Sequence, residues 1–231
     1  MPTLWGVAGT IQSVSILRPP PVATAAAWIP MASDAGVVVD WLAENSGNDT
    51  WPRRVTVVPQ KRVVDMADDA VQHFAANGNL HSGRGTPGSA GGPVLAYRPD
   101  LELLGDAVAL ADGQALGVIE FFPGEVAGWA AATNAINLET GEPTPGVPEE
   151  ILTALEDLKQ AGYNGYFRDR EAFFAAKYFP PIDELRAAGY DYKFVAGYLI
   201  ALGVDGKSVG GDLERIYVPK EKRRKVSNSF R

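Results

Sequence analysis

The chain contains no cysteine and only two histidines, His73 and His81, among its 231 residues. Without thiols there is no disulfide framework, no thiolate-ligated zinc or iron–sulfur cluster and no cysteine nucleophile. Two histidines are too few for a multi-histidine metal centre within one chain. No apolar run reaches the ~18 residues that a membrane-crossing helix needs. The N-terminus lacks a basic stretch followed by an apolar segment. These absences lead to the expectation of a cytoplasmic protein without membrane association. No metal and no other cofactor is called for by any motif.

What is present suits a globular core. Hydrophobic residues make up 46% of the chain, with five Trp, eight Tyr and nine Phe. Charge is uneven. The formal net charge is −7, yet residues 220–231 hold six basic side chains against one acid. The terminal segment is therefore +5 on a body of −12. Such asymmetry points to an interaction arm for polyanions.

Periodicity predicts an α/β fold: a small, mainly parallel sheet built from successive βα units, followed by an all-helical C-terminal region. Residues 3–17 read as one or two strands, and Pro19, Pro20 and Pro21 break the chain after them. A helix is expected from Ser33 or Asp34 to about Glu44, opened by a short polar cap. Three strand–helix units follow. Their strands cover 55–58, 94–97 and 116–120, and their helices run from about 62 to 74, from 101 to 110 and from 125 to 132. The β-branched, fully apolar strands are of the kind buried on both faces. Three prolines and two glycines crowd 140–148, which places a boundary there. The expected division is an α/β domain over 1–139, a linker over 140–148, a helical domain over 149–218 and a basic tail over 219–231. Helices are expected over 149–161, 168–178, 182–188, 191–202 and 207–217.

The motifs divide on context. Five glycines lie between His81 and Pro93, but a phosphate-cradling fingerprint needs a strand, then glycines, then a helix. This loop is expected to join a helix to a strand as a surface connection at the amino edge of the sheet. Residues 201–208 nearly fit a phosphate-binding P-loop, with Ala201 in place of its first glycine. No strand precedes the segment and none follows to supply a magnesium-binding acid, so that reading is excluded.

The same segment is laid out like a helix-turn-helix unit. Gly203 would make the turn, Asp205 the cap, and Val209 with Leu213 the buried face. Lys207 and Arg215 would then face nucleic acid, joined by Lys220, Lys222, Arg223, Arg224 and Lys225 of the tail. Asp65 and Asp69, four apart on an expected helix, would share a face. The dense aromatic set between Tyr163 and Tyr198 reads as the core of a small bundle.

In an open parallel sheet, ligands collect beyond the carboxyl ends of the strands. There the sequence offers Lys61, Arg62 and Arg98 to hold an anion, with Glu120 or Asp100 as candidate acid–base groups. Two readings of function follow. In the first, a non-catalytic interaction or regulatory protein contacts nucleic acid or a protein partner through its helical part and tail. In the second, an enzyme or sensor binds a small anionic metabolite at the carboxyl edge of the sheet.

Overall fold

A computed structural model describes residues 23–85 and 88–226. The strands expected over 3–17 lie outside the described residues. The elements in chain order are β1 (Ala25–Ile29), α1 (Ala35–Glu44), β2 (Val55–Val57), α2 (Asp69–Ala75), β3 (Leu80–His81), β4 (Val94–Tyr97), α3 (Leu101–Leu110), β5 (Ala115–Ile119), α4 (Ala127–Thr133), β6 (Ile136–Asn137), β7 (Glu142–Pro143), α5 (Glu149–Ala161), α6 (Ala172–Ala187), α7 (Tyr192–Ala201) and the short α8 (Glu214–Ile216). The seven strands form one sheet in the order β3-β2-β4-β5-β1-β6-β7, parallel except for the final β6–β7 pair. The fold is therefore α/β with a helical region after it.

Connection direction decides which face each helix covers. From β1 to β2, and again from β2 to β3, the chain moves toward the β3 edge. The helices on those crossovers, α1 and α2, share one apolar cluster with Leu95, Tyr97 and Ile119. From β4 to β5, and from β5 to β6, it moves the other way. Helices α3 and α4 share the opposite cluster with Val94, Ala96, Leu116 and Val118. Opposite directions on opposite faces are what right-handed crossovers require. The chain reverses direction between neighbouring strands twice, between β2 and β4 and between β5 and β1. These are the places where an α/β sheet opens a crevice at its carboxyl ends.

The helical region is built onto the α3–α4 face. A single cluster runs from Leu116 and Val118 of the sheet through Trp129 to Leu155, Tyr178 and Leu199. Helices α4 and α7 cross almost backbone to backbone. A Cβ at Gly128 would lie 1.8 Å from the Phe194 carbonyl oxygen, so only glycine permits the contact. Gly117 plays a similar part on the other face, where an added Cβ would meet the Val38 side chain at 2.7 Å.

Several expectations change. Strand β1 carries no strand signal of its own, because its Ala-Ala-Ala-Trp-Ile sequence lacks β-branched alternation. Small residues suit it, since it is a central strand with Ala27 fully buried. The expected helix over 62–74 is two pieces, a 3₁₀ segment over Lys61–Met66 and then α2, separated by extended backbone at Ala67 and Asp68. Asp65 and Asp69 are thus not on one helix. The helices expected over 168–178 and 182–188 are the single helix α6, which runs through Pro180 and Pro181, with Tyr178 and Ile182 buried on either side of the prolines. The proline-rich stretch after 140 begins as a strand, β7, in a tight hairpin with β6. No helix among the described residues is long and apolar enough to cross a membrane.

Candidate ligand site at the carboxyl edge

The strand register sets Val57 of β2 level with Ala96 of β4, and Tyr97 of β4 level with Ile119 of β5 and hence Ile29 of β1. One residue further, Pro59, Arg98, Glu120 and Pro30 leave the sheet side by side. Lys61 and Arg62 follow directly on the 3₁₀ segment after β2. The sequence candidates therefore do share one edge, around the β2–β4 reversal.

Beside that reversal lies an open cavity of about 820 Å³, lined by Pro59, Gln60, Lys61, Arg62, Leu80, His81, Ser82 and Arg84. Its lining contains three full cations and no carboxylate. Lys61, Arg62, Arg84 and Arg98 form no ion pair among the described residues, whereas Lys193, Lys207, Arg215, Lys220 and Arg223 all do. His81 also belongs to the lining, and its Nε2 lies 2.6 Å from Asp106 Oδ2 on α3. A carboxylate accepts, so the proton of that contact is on Nε2. Nδ1 of the same ring is the nitrogen that remains.

Sequence reasoning missed His81, Ser82 and Arg84 as site residues because β3 is only two residues long. Too short to show a period, it pairs parallel to β2. The glycine-rich loop thus leaves from the carboxyl edge of β3 and descends to the start of β4, and does not lie wholly at the amino edge. Gly83, Gly85 and Gly91 take positive φ along it.

Arg98 sits apart from the cavity lining. Its φ of 54° is left-handed, one of two such non-glycine residues among those described. Its guanidinium carbon lies 4.7 Å from the Tyr97 ring centroid and 5.6 Å from that of Phe121, and its Nε is buried without a hydrogen-bond partner.

Both acid–base candidates are occupied by local structure. Asp100 caps α3, its Oδ1 accepting from the Leu103 amide at 2.9 Å. Glu120 is 3% exposed and accepts from the Val126 amide at 3.3 Å. Burial pushes its carboxyl up from the ordinary range, against the opposing hydrogen bonds from the amides of Val126, Gly124 and Glu125.

A second cavity, of about 520 Å³, lies between the start of α3, the start of α7 and a π-helical turn over Ser208–Leu213. Its rim is acidic, with Asp100, Glu102, Glu125 and Glu214 against Lys193 and Lys207. Both lysines are bound by carboxylates, at 3.0 Å to Glu125 and 3.5 Å to Glu102.

The C-terminal candidates are placed as follows. Gly203 takes positive φ, Asp205 accepts from the Ser208 amide at 3.1 Å, and Val209 and Leu213 are fully buried. Helix α7 precedes this segment, so no strand leads into residues 201–208. Arg215 turns inward to Asp169, Asp212 and the Tyr166 carbonyl. Arg223 forks onto Asp183 and covers the Phe179 ring, and Lys220 joins the same carboxylate at 3.5 Å. Lys222, Arg224 and Lys225 form no ion pair among the described residues. Four tyrosines of the helical region spend their hydroxyls on backbone carbonyls: Tyr166 on Leu158, Tyr178 on Gly165, Tyr192 on Val209 and Tyr217 on Tyr190. Most of the aromatic set is core, with Tyr163, Phe167 and Phe173 on the surface.

Fold and edge together define an open, mainly parallel α/β protein with a basic, polar mouth at its strand ends. No family model matches the chain, and neither a curated protein nor a solved structure matches it.

Proposed function

We propose that the protein binds a small anionic ligand at the carboxyl edge of β3, β2 and β4, as a sensor or as an enzyme acting on that ligand. One observation carries this reading: three adjacent parallel strands each release unpaired cations at the same edge, in a protein whose overall charge is negative. Arg84 follows β3, Lys61 and Arg62 follow β2, and Arg98 follows β4, while His81 at the end of β3 is already bonded to Asp106. Unpaired cations gathered beside a cavity hold a favourable potential for an anion, and Arg offers a forked donor set for phosphate or carboxylate oxygens. Asp100 and Glu120 take no part in the chemistry proposed, because both carboxylates already serve backbone amides.

A second reading rests on Lys222, Arg224 and Lys225, which leave a basic end free to meet nucleic acid or an acidic protein. One set of titrations separates the two. Inorganic phosphate and pyrophosphate are expected to raise the melting temperature of the wild type, since a ligand that binds only the folded state stabilises it by mass action. They should leave the triple variant Lys61→Gln, Arg62→Gln, Arg84→Gln unchanged. The opposite pattern would transfer the function to the C-terminus: no response to either anion, and salt-sensitive duplex DNA binding that disappears when residues 220–231 are removed.

A further inference from the structure

Beside the anion site, the next strand end carries an aromatic surface. After β5 come Phe121 and Phe122, 36% and 54% exposed, with ring centroids 4.2 Å apart in an edge-to-face arrangement. Met31, 46% exposed, leaves the neighbouring strand β1 at the same edge. This is the second place where the chain reverses direction, between β5 and β1.

The turn that carries the two phenylalanines is tied down through its backbone. The Phe122 amide donates to Glu125 Oε2 at 3.1 Å, and the Glu120 carboxylate holds the Val126 amide at the far side of the same turn. Large apolar rings fixed in an exposed position at a ligand edge form a surface ready to be covered. Arg98 joins this surface to the anion site. Its guanidinium lies over both the Tyr97 and Phe121 rings, which leaves its in-plane donors for an anion and its faces for stacking. The left-handed backbone at Arg98 is what starts the side chain from this position.

Spacing sets the size of the occupant. Strands in a sheet lie about 4.8 Å apart, so β2 and β5, with β4 between them, end about 10 Å apart. A compact aromatic monoester covers part of that gap, and the long side chains carried at the strand ends cover the rest. We infer that the ligand is an anion carried on a planar ring system. Its phosphate or carboxylate sits at Lys61, Arg62 and Arg98, and its ring sits on Phe121 and Phe122. This inference rests on the anion site proposed above.

Calorimetric titration of inorganic phosphate, glycerol phosphate and phenyl phosphate tests it. Phenyl phosphate is expected to bind the wild type about tenfold more tightly than either ring-free anion, the size of a single aromatic contact. In Phe121→Ala, Phe122→Ala, phenyl phosphate binds no more tightly than inorganic phosphate does. Phe122→Ala alone, at the more exposed ring, removes part of the ring advantage. Arg98→Gln weakens all three anions and takes the ring advantage with it. A wild type that binds phosphate but gains nothing from the ring overturns the inference and leaves the anion site standing, as does a ring advantage that survives the double variant. A wild type that binds none of the three overturns both.

Discussion

Glu120 illustrates how a single carboxylate at a strand end is also drawn into local structure. Its position just past a central parallel strand is where an α/β enzyme would place an acid or base, and that position is readable in the sequence. Its hydrogen bonding to the amides of Gly124, Glu125 and Val126 is not readable, because those amides come free only when the chain turns back into α4. Burial raises the Glu120 carboxyl above its ordinary value of 4.5. The native state therefore holds the proton more tightly than the unfolded chain does. The stability tied to this proton is fully present below the ordinary value and is lost as pH rises through the raised one. Glu120→Gln keeps an acceptor for Val126 and cannot ionise. Urea unfolding at about pH 4.5 and about pH 7 is expected to show the wild type losing stability relative to this variant across the interval. An equal difference at both pH values would contradict it. The same limit of local sequence applies to Arg98. Its charge is visible from the chain alone, but its φ and its place over Phe121 depend on a neighbouring strand.

At the scale of elements, long apolar strands and capped helices were legible, and short or interrupted ones were not. β4 and α1 match their expected bounds closely because each carries a complete local signal: an apolar run, or a cap with helical spacing. β3, β6 and β7 have two residues each and exist only through pairing. The basic tail shows the same contrast. Its charge run reads as an arm for polyanions, yet residues up to Arg223 are latched to α6 through Asp183. Burial pushes the Asp183 carboxyl up, but the hydrogen bond and charge of Arg223, with Lys220, outweigh it and hold the group below its ordinary 3.8. The latch is thus present at neutral pH and is lost only as pH falls through that lowered value. Under limited digestion, trypsin is expected to cut the native wild type after Arg224 and Lys225 well before it cuts after Lys220 or Arg223. Asp183→Asn should remove that delay. If cleavage after Arg223 is already as fast in the wild type, the latch does not hold in solution.

At the scale of the whole molecule, composition drew a boundary over residues 140–148, where proline and glycine interrupt the pattern. The core is continuous across it. Trp129 on α4 and Leu155, Leu158 and Tyr198 on the later helices belong to one apolar cluster, and α4 meets α7 through Gly128 and Gly197 at near backbone contact. Proline and glycine report where a chain cannot continue a helix. They do not report whether the two sides bury surface against each other, since that depends on which helix faces are left apolar after the sheet is covered. The arrangement makes a thermodynamic prediction with a built-in reporter. The four tryptophans among the described residues, Trp28, Trp41, Trp51 and Trp129, lie on the sheet and the segments that flank it, so their fluorescence reports that part. Most long helices lie beyond residue 148, so circular dichroism near 222 nm is weighted toward the helical region. Burial shared between the two regions couples their unfolding, and coupled parts melt together. The two signals are therefore expected to trace coincident urea transitions with one midpoint. Gly128→Ala, which drives a methyl into the Phe194 carbonyl, should shift both together by about 3 kcal/mol. Two separated midpoints in the wild type, or a Gly128→Ala shift confined to one signal, would make residues 140–148 an energetic boundary.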